Sequence, residues 1–166
     1  LLTRFPNLIV TRTFSKVYGL AAVRFGYGAS SPAFADLLNR ARQPFNVNSL
    51  AMAASLAALE DDDYVNESVA LNRAGMAQMT EGLTRLGYDF IPSAGNFVAF
   101  DSAEPGNDLF QRMLREGVIV RAIAEYGLPN HVRVSIGLES ENERFLSVLA
   151  KVGSHARPKS THQAES

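Results

Sequence analysis

The sequence contains no cysteine, so disulfides and thiolate metal sites are excluded. It also lacks an apolar run near the ~18 residues that a membrane-spanning helix requires. A net charge of −1 argues against a nucleic-acid partner, because proteins that bind nucleic acids normally have a basic surface. The remaining composition, 46% hydrophobic and 20% charged, is typical of a globular domain, and the chain start does not resemble a signal peptide. A cytoplasmic protein is therefore the default expectation.

Lysine is scarce, which draws attention to Lys16. Only three of the 16 basic residues are lysines, and Lys16 is the single lysine among twelve arginines in the first 150 residues. Arginine cannot replace a lysine that must act as a free amine, because its guanidinium stays protonated. Codon bias and chance explain this count equally well. The position adds weight, because Lys16 follows a predicted strand, where α/β enzymes gather their sites.

The residues around Lys16 include several groups that bind phosphate. Thr13 and Ser15 alternate along the backbone, so that both hydroxyls can face one anion. Arg24 follows eight residues after Lys16 and offers a guanidinium fork for phosphate. A neighbouring cation also lowers the pKa of an amine. The pattern predicts a carbonyl cofactor that is joined to Lys16 by an imine bond and held by its phosphate. Ordinary surface charges at Lys16 and Arg24 remain the alternative from the residues alone.

Hydrophobic periodicity and turn residues predict an α/β chain with few strands in its first part. The predicted strands cover residues 7–13, 25–29, 96–100, 118–121 and 131–136. A short helical turn is expected within residues 19–24. The predicted helices cover residues 31–42, 50–59, 62–86, 105–117 and 140–152.

Capping signals mark the starts of two of these helices. Asn48 or Ser49 caps the helix at 50–59, which is apolar on nearly all sides and is expected to be buried. Ser140 and Glu143 have the spacing of a capping box, with Ser140 as the cap.

The helix at 62–86 would be ~37 Å long, which suits a connector between two domains. Asp61–Asp63 supply the acidic first turn of this helix, and we assign them to the helix start and predict no metal site. The predicted organisation has a domain end, a connecting helix, a small α+β domain and a disordered tail. These parts cover residues 1–60, 61–87, 88–152 and 153–166.

The run from Ser15 to Tyr27, Ser-Lys-x-Tyr-Gly-Leu-Ala-x-x-Arg-x-Gly-Tyr, closely resembles the lysine motif of fold-type I aminotransferases, which use pyridoxal phosphate. Among these, the chain most resembles the histidinol-phosphate aminotransferase family. Ala22 departs from the motif, since the family more often has glycine there. The resemblance covers about residues 1–152, and several separated segments in the same order make it specific. These segments are residues 42–49, 92–97, 115–121, 127–137 and 141–145.

The resemblance implies the α/β fold of the C-terminal portion of a fold-type I transferase. This portion comprises the end of the large domain, with its mixed or parallel sheet, and the small α+β domain. The implied cofactor is pyridoxal 5′-phosphate, with Lys16 as the catalytic lysine that binds the cofactor and shuttles a proton. Thr13, Ser15 and Arg24 would bind its phosphate. The groups that hold the cofactor ring would lie upstream of Leu1, so we expect this chain to be incomplete and inactive alone.

The resemblance also assigns substrate-binding roles. Arg133 would bind the carboxylate of the amino donor glutamate, and a surface arginine on a half-exposed strand is the alternative. Asn96 would orient Arg133, or is simply a turn residue after Gly95. Arg121 would contact the phosphate end of the substrate, and a structural salt bridge is equally compatible with its position.

The implied reaction is transamination in histidine biosynthesis between L-histidinol phosphate and 2-oxoglutarate, which yields imidazole-acetol phosphate and L-glutamate. The implied partners are these small molecules, with neither nucleic acid nor membrane, and the parent enzyme is expected to be a homodimer. An aromatic aminotransferase, an amino-acid-phosphate decarboxylase of the same fold, and a non-catalytic α/β module that has kept the motif remain as alternatives.

Overall fold

The computed structural model describes residues 1–154. Apart from Gly153 and Ser154, the predicted disordered tail lies outside the described residues. The chain divides into two compact units, Leu1–Val69 and a second unit that begins at Ala70. The predicted division into a domain end, a connecting helix and a small domain stays a prediction.

The first unit contains a two-stranded antiparallel sheet. Strand β1 spans Val10–Thr13 and pairs with β2, Gly26–Ala29. The predicted first strand at 7–13 is therefore shortened to its last four residues. A short 3-10 helix at Ala21–Val23 confirms the predicted helical turn between the strands. Gly26 is required by the pairing, because a Cβ there would lie 2.7 Å from the carbonyl oxygen of Arg12.

Two helices follow the sheet, namely α1, Pro32–Ala41, and α2, Ser49–Leu59. Asn48 caps α2, because its side-chain oxygen accepts a hydrogen bond from the Ala51 N–H at 2.8 Å. Of the two caps that the sequence allows, the structure therefore uses Asn48. Ser31 stands at the N-cap of α1, but its hydroxyl donates to the Pro6 carbonyl oxygen at 3.1 Å.

The expected burial of α2 is wrong for the described chain. Leu50 and Leu56 are 77% and 63% exposed, whereas only Ala51 and Ser55 of this helix are buried. A helix that is apolar on all sides can turn only one side towards its own unit. The rest of its apolar surface therefore stays exposed.

Replacing Asn48 with alanine is expected to lower the free energy of unfolding by about 1 kcal/mol, because the N–H of Ala51 loses its acceptor. Urea unfolding of the 166-residue chain, followed by circular dichroism in the far ultraviolet, measures this loss. Asn48→Asp is the matched control, because it keeps a side-chain acceptor. A loss of equal size in both variants would contradict the capping role.

The long helix α3 spans Asp62–Arg85, close to its predicted bounds. The second unit continues with four strands that form one antiparallel sheet in the order β3-β4-β6-β5. The strands are β3, Phe90–Ile91; β4, Phe97–Asp101; β5, Arg121–Ile123; and β6, Leu128–Ser135. Two further helices are α4, Gly106–Arg115, and α5, Glu139–Val152.

The core of the second unit lies on one face of this sheet. Alternating residues of β4 and β6 point towards it, and they pack with buried residues of α3, α4 and α5. Phe100 is fully buried and makes edge-to-face contacts with Tyr88 and Phe145, with ring centroids 5.4 and 6.0 Å apart. Burial raises the pKa of the Tyr88 hydroxyl, which donates a hydrogen bond to the carbonyl oxygen of Ser154 at 3.0 Å.

The strand predicted at 118–121 is displaced towards the C-terminus. The Val118 N–H donates to the carbonyl oxygen of Met113 at 3.0 Å, and Gly117 adopts a left-handed φ of 76°. This bond and the left-handed turn end α4, and the bond occupies the N–H of Val118, the first residue of the predicted strand. Strand β5 therefore begins only at Arg121.

The predicted capping box at Ser140 is also wrong. Leu138 is the N-cap of α5, and a carboxylate oxygen of Glu141 accepts from the Leu138 N–H at 2.8 Å. The side chain of Asn142 fixes this start, because its oxygen accepts from the Gly137 N–H at 3.0 Å. Ser140 is consequently already helical. Within residues 1–154, no helix has the length and apolar character needed to cross a membrane.

Candidate active site

Lys16 lies in an exposed turn that follows strand β1. Its carbonyl oxygen accepts a hydrogen bond from the Gly19 N–H at 2.9 Å, and Gly19 has a left-handed φ of 68°. The Leu20 N–H donates to the carbonyl oxygen of Phe14 at 3.0 Å. Two backbone bonds therefore fix the loop on which the lysine is presented.

Phe14 anchors this turn through its buried side chain. Its side chain is 1% exposed, and its ring lies 4.8 Å from that of Tyr18 and 5.1 Å from that of Phe25. Phe14, which lies two residues before Lys16, is thus a packed aromatic residue. This anchoring was not predicted, although an aromatic at the end of an apolar strand is a signal of burial.

Tyr64 contacts the same turn from α3 and was also not predicted. A Cβ built on Gly19 would lie only 2.8 Å from the Tyr64 hydroxyl oxygen. The hydroxyl therefore lies directly against the backbone of Gly19. This close approach is a second reason, besides the left-handed backbone, why position 19 is occupied by glycine.

The segments that carry the predicted phosphate-binding residues lie side by side at one end of the β1–β2 hairpin. Thr13 lies opposite Gly26 in the sheet, and the Phe14 N–H donates to the Phe25 carbonyl oxygen at 3.2 Å. These pairings bring the segment that carries Thr13 and Ser15 beside the segment that carries Arg24. Residues eleven positions apart in sequence are thereby brought to one end of the sheet.

The local geometry differs in one respect from the sequence argument. Strand β1 ends at Thr13, so strand alternation does not set the direction of Ser15. Instead, the Ser15 N–H donates to the Thr13 hydroxyl oxygen at 3.1 Å. Such a bond between a hydroxyl and a nearby backbone N–H is typical of a turn, and it couples the two hydroxyl residues.

Arg24 has a backbone conformation that is unusual for a residue other than glycine. Its φ is 56°, in the left-handed region, and one guanidinium nitrogen donates to the Ala21 carbonyl oxygen at 2.8 Å. A non-glycine residue in this region costs of order 1–3 kcal/mol and is often found at functional sites. The side chain is exposed, with further N–H groups available to an anion.

The two arginines that are predicted to bind substrate lie in the second unit, where Arg121 of β5 is directly opposite Arg133 of β6. Arg121 and Arg133 both line a cavity of about 680 Å³. Opposite residues in an antiparallel pair share a face, and like charges in this position repel each other. An anion between or near them would relieve this repulsion.

Arg121 forms the salt bridge that the sequence left as an alternative. Its guanidinium lies 2.8 Å from a carboxylate oxygen of Glu125, and both side chains are about half exposed. This hydrogen bond lowers the pKa of Glu125 and raises that of Arg121. The positive charge of Arg133 further lowers the pKa of Glu125. Because the pair is exposed, an anionic ligand can compete with Glu125 for Arg121.

Arg133 is half-buried and contacts an aromatic ring. Its guanidinium carbon lies 5.1 Å from the centroid of the Phe97 ring. Phe97 was not predicted as part of the site, although it follows directly after Asn96. Among residues 1–154, no hydrogen bond joins the Asn96 side chain to Arg133, and the Asn96 carbonyl oxygen accepts from the Ile136 N–H at 2.9 Å. The orienting role of Asn96 stays a prediction.

Residues 1–149 match the protein family described as aminotransferase class I and II. The chain belongs to this family. The match covers both structural units and confirms the resemblance that the lysine motif indicated. Within the described residues, no cluster of three or more His, Cys, Asp or Glu side chains is arranged to hold a metal ion.

Within the family, the chain is similar in sequence to a histidinol-phosphate aminotransferase. The chain is 62% identical over 151 residues to histidinol-phosphate aminotransferase 2 of Pseudomonas fluorescens. This alignment covers 91% of this chain and 41% of that protein. The chain thus spans about two fifths of the length of this curated relative.

Solved aminotransferase structures share the fold. The histidinol-phosphate aminotransferase of Clostridium acetobutylicum superposes with a TM-score of 0.86 at 26% identity, over 91% of this chain and 47% of that one. The enzyme of the same name from Sinorhizobium meliloti, in complex with pyridoxal-5′-phosphate, gives 0.80 at 31% identity, over 89% and 41% of the two chains. The predicted fold class, part of a fold-type I aminotransferase, is therefore confirmed.

Proposed function

We propose that this chain forms the C-terminal part of a pyridoxal-phosphate-dependent histidinol-phosphate aminotransferase. The enzyme exchanges the amino group between L-histidinol phosphate and 2-oxoglutarate, and it thereby belongs to histidine biosynthesis. The observation that carries the proposal is the fixed turn that presents Lys16 at the end of the hairpin, where the segment with Thr13 and Ser15 lies beside the segment with Arg24. The identity of 62% to a relative of that name supports the choice of substrate.

The side chains in the first unit fit pyridoxal phosphate. The cofactor needs an amine for its aldehyde and a set of donors for its phosphate, and the hairpin end supplies an amine, two hydroxyls and a guanidinium. The related Sinorhizobium meliloti enzyme was solved with this cofactor. When bound, pyridoxal phosphate supplies the electron sink that stabilises negative charge on the substrate α-carbon.

Lys16 has two roles in this proposal. Its Nζ atom would hold the cofactor through the aldehyde carbon, with loss of water. Its free amine would then move a proton at the substrate α-carbon. Both roles require a side chain in a constant position, and the bonds from Gly19 to Lys16 and from Leu20 to Phe14 fix the backbone from which it extends.

The second unit provides the groups for the substrates. Arg133 binds a carboxylate of glutamate through paired N–H groups, and Arg121 binds the phosphate end of histidinol phosphate. Asn96 assists Arg133. The adjacent positions of Arg121 and Arg133 in the sheet support a site for anions, because they concentrate positive charge on one face.

The proposed enzyme contains more polypeptide than this chain. Apolar side chains are exposed on α2, among them Leu50 and Leu56. Their exposure supports the proposal that further polypeptide, from upstream sequence and a second subunit, covers this helix. In this proposal, the groups that hold the cofactor ring belong to the part of the related enzymes that this chain does not span. The expected assembly is a cytoplasmic homodimer that acts on small molecules, and the 166-residue chain alone is expected to have little activity.

An assay of the full-length polypeptide tests the proposed reaction. Glutamate formation from L-histidinol phosphate and 2-oxoglutarate should exceed that from L-phenylalanine by at least about tenfold in kcat/KM. A missing phosphate leaves the cationic site unpaired, and such a loss costs about 1–3 kcal/mol. A preference for phenylalanine would favour the aromatic aminotransferase. Release of CO₂ from an amino-acid phosphate would favour the decarboxylase.

A further inference from the structure

Phe97 and Arg133 form a contact between two neighbouring strands. Phe97 opens β4 and lies opposite Ser135 of β6, while Arg133 lies opposite Ala99. The two residues are therefore diagonal neighbours on the same sheet face, a distance that long side chains can bridge. The guanidinium carbon of Arg133 lies 5.1 Å from the ring centroid of Phe97, within the range of a cation–π contact.

This contact lies on the sheet face opposite the hydrophobic core. Val98 and Phe100 point into the core and are fully buried, whereas Phe97, between the loop and Val98, is 38% exposed. The Phe97 ring therefore contributes little to the packing of the core. Its exposed position beside a cation needs another explanation, and the contact with Arg133 provides one.

The surrounding charges leave Arg133 without a carboxylate partner. Glu125 pairs with Arg121, which repels Arg133 from the opposite strand. Within residues 1–154, no Asp or Glu oxygen lies within 4.0 Å of the guanidinium of Arg133. The Phe97 ring is thus a direct contact that restrains this guanidinium, in addition to the longer-range attraction of Glu125.

We propose that Phe97 is a positioning residue for Arg133, and that its ring orients the guanidinium to receive the carboxylate of the amino-acid substrate. This inference rests on the proposed aminotransferase function. A ring contacts the flat face of a guanidinium, whereas a carboxylate binds its N–H edge, so both contacts are compatible. An arginine that is already oriented loses less side-chain entropy when the carboxylate binds.

Calorimetry of glutarate binding to the full-length protein tests this role directly. Glutarate is a dicarboxylate without an amino group, so it measures carboxylate binding separately from the reaction. Phe97→Leu is expected to weaken glutarate binding about two- to fivefold, as the loss of an exposed cation–π contact should. Phe97→Tyr keeps the aromatic face and should retain the wild-type affinity.

Steady-state kinetics give a second readout. In Phe97→Leu, the KM for L-glutamate should rise by a similar factor while kcat stays within about twofold, because only binding is affected. The matched control is Phe110→Leu. Phe110 packs against the core from α4, away from this sheet face, and its replacement should leave glutarate affinity unchanged.

Two results would overturn the positioning role. One is an unchanged glutarate affinity in Phe97→Leu, and the other is an equal loss in Phe97→Leu and Phe97→Tyr. The proposed function fails by a different measurement, namely the absence of a covalent label on Lys16 after borohydride reduction with pyridoxal phosphate. The two ideas can therefore be rejected independently.

Discussion

Replacing Lys16 with alanine in the full-length protein is expected to lower the kcat for transamination by roughly 10⁴-fold, the upper end of what a positioned acid–base group supplies. The variant loses both the amine that binds the cofactor aldehyde and the group that moves the proton. Borohydride reduction in the presence of pyridoxal phosphate, followed by peptide mass mapping, should label Lys16 in the wild type and leave the variant unlabelled at this site.

Two control variants separate the chemistry of the amine from its charge. Lys16→Arg keeps a positive charge in the turn but cannot form the imine, so it should be as inactive as alanine. Lys151→Ala removes a lysine that is paired with Glu116 at 2.8 Å, and it should keep full activity. Retention of more than about a tenth of the wild-type kcat in Lys16→Arg would rule out a covalent role for this residue.

Replacing Phe100 with alanine is expected to destabilise the second unit by about 3–5 kcal/mol. The side chain is fully buried at the centre of the core, between Tyr88 and Phe145, and the strands on either side prevent the cavity from collapsing. Urea unfolding of the 166-residue chain, followed by circular dichroism, measures the change in the free energy of unfolding.

Ile119→Ala is the matched control for this experiment. Ile119 belongs to the same unit and is also a large apolar residue, but it is 79% exposed. Its replacement should change the free energy of unfolding by no more than about 0.5 kcal/mol. A loss below about 1 kcal/mol for Phe100→Ala would show that the core adapts to the cavity or that this unit is already unfolded in the isolated chain.

Local signals were predicted well because their causes are local. The hydroxyl, lysine and arginine groups of the motif lie within twelve residues, so the chemistry could be proposed from sequence alone. Asn48 caps α2 through a bond to a residue only three positions away. Neither feature depends on distant parts of the chain.

Predictions failed where distant residues choose between local alternatives. Ser140 and Glu143 have the spacing of a capping box, yet α5 starts at Glu139. The start is fixed by Asn142, whose side-chain nitrogen donates to the Gln78 side-chain oxygen of α3 at 2.9 Å. This contact spans 64 positions in sequence. The buried hydrogen bonds of Asn142 outweigh the exposed cap that Ser140 would have made.

The sequence by itself determined the family, the fold class and the chemical groups around Lys16, because the contiguous lysine motif and several further segments in the same order carry them. The tertiary structure decided which aromatic side chains support these groups. Phe14 packs beneath the lysine turn, and Phe97 lies against Arg133 because β4 and β6 pair in one particular register. Pairing register depends on hydrogen bonds and core packing between segments far apart in sequence. The lysine turn can therefore be predicted from the sequence alone, whereas the side chains that contact it and Arg133 depend on the fold.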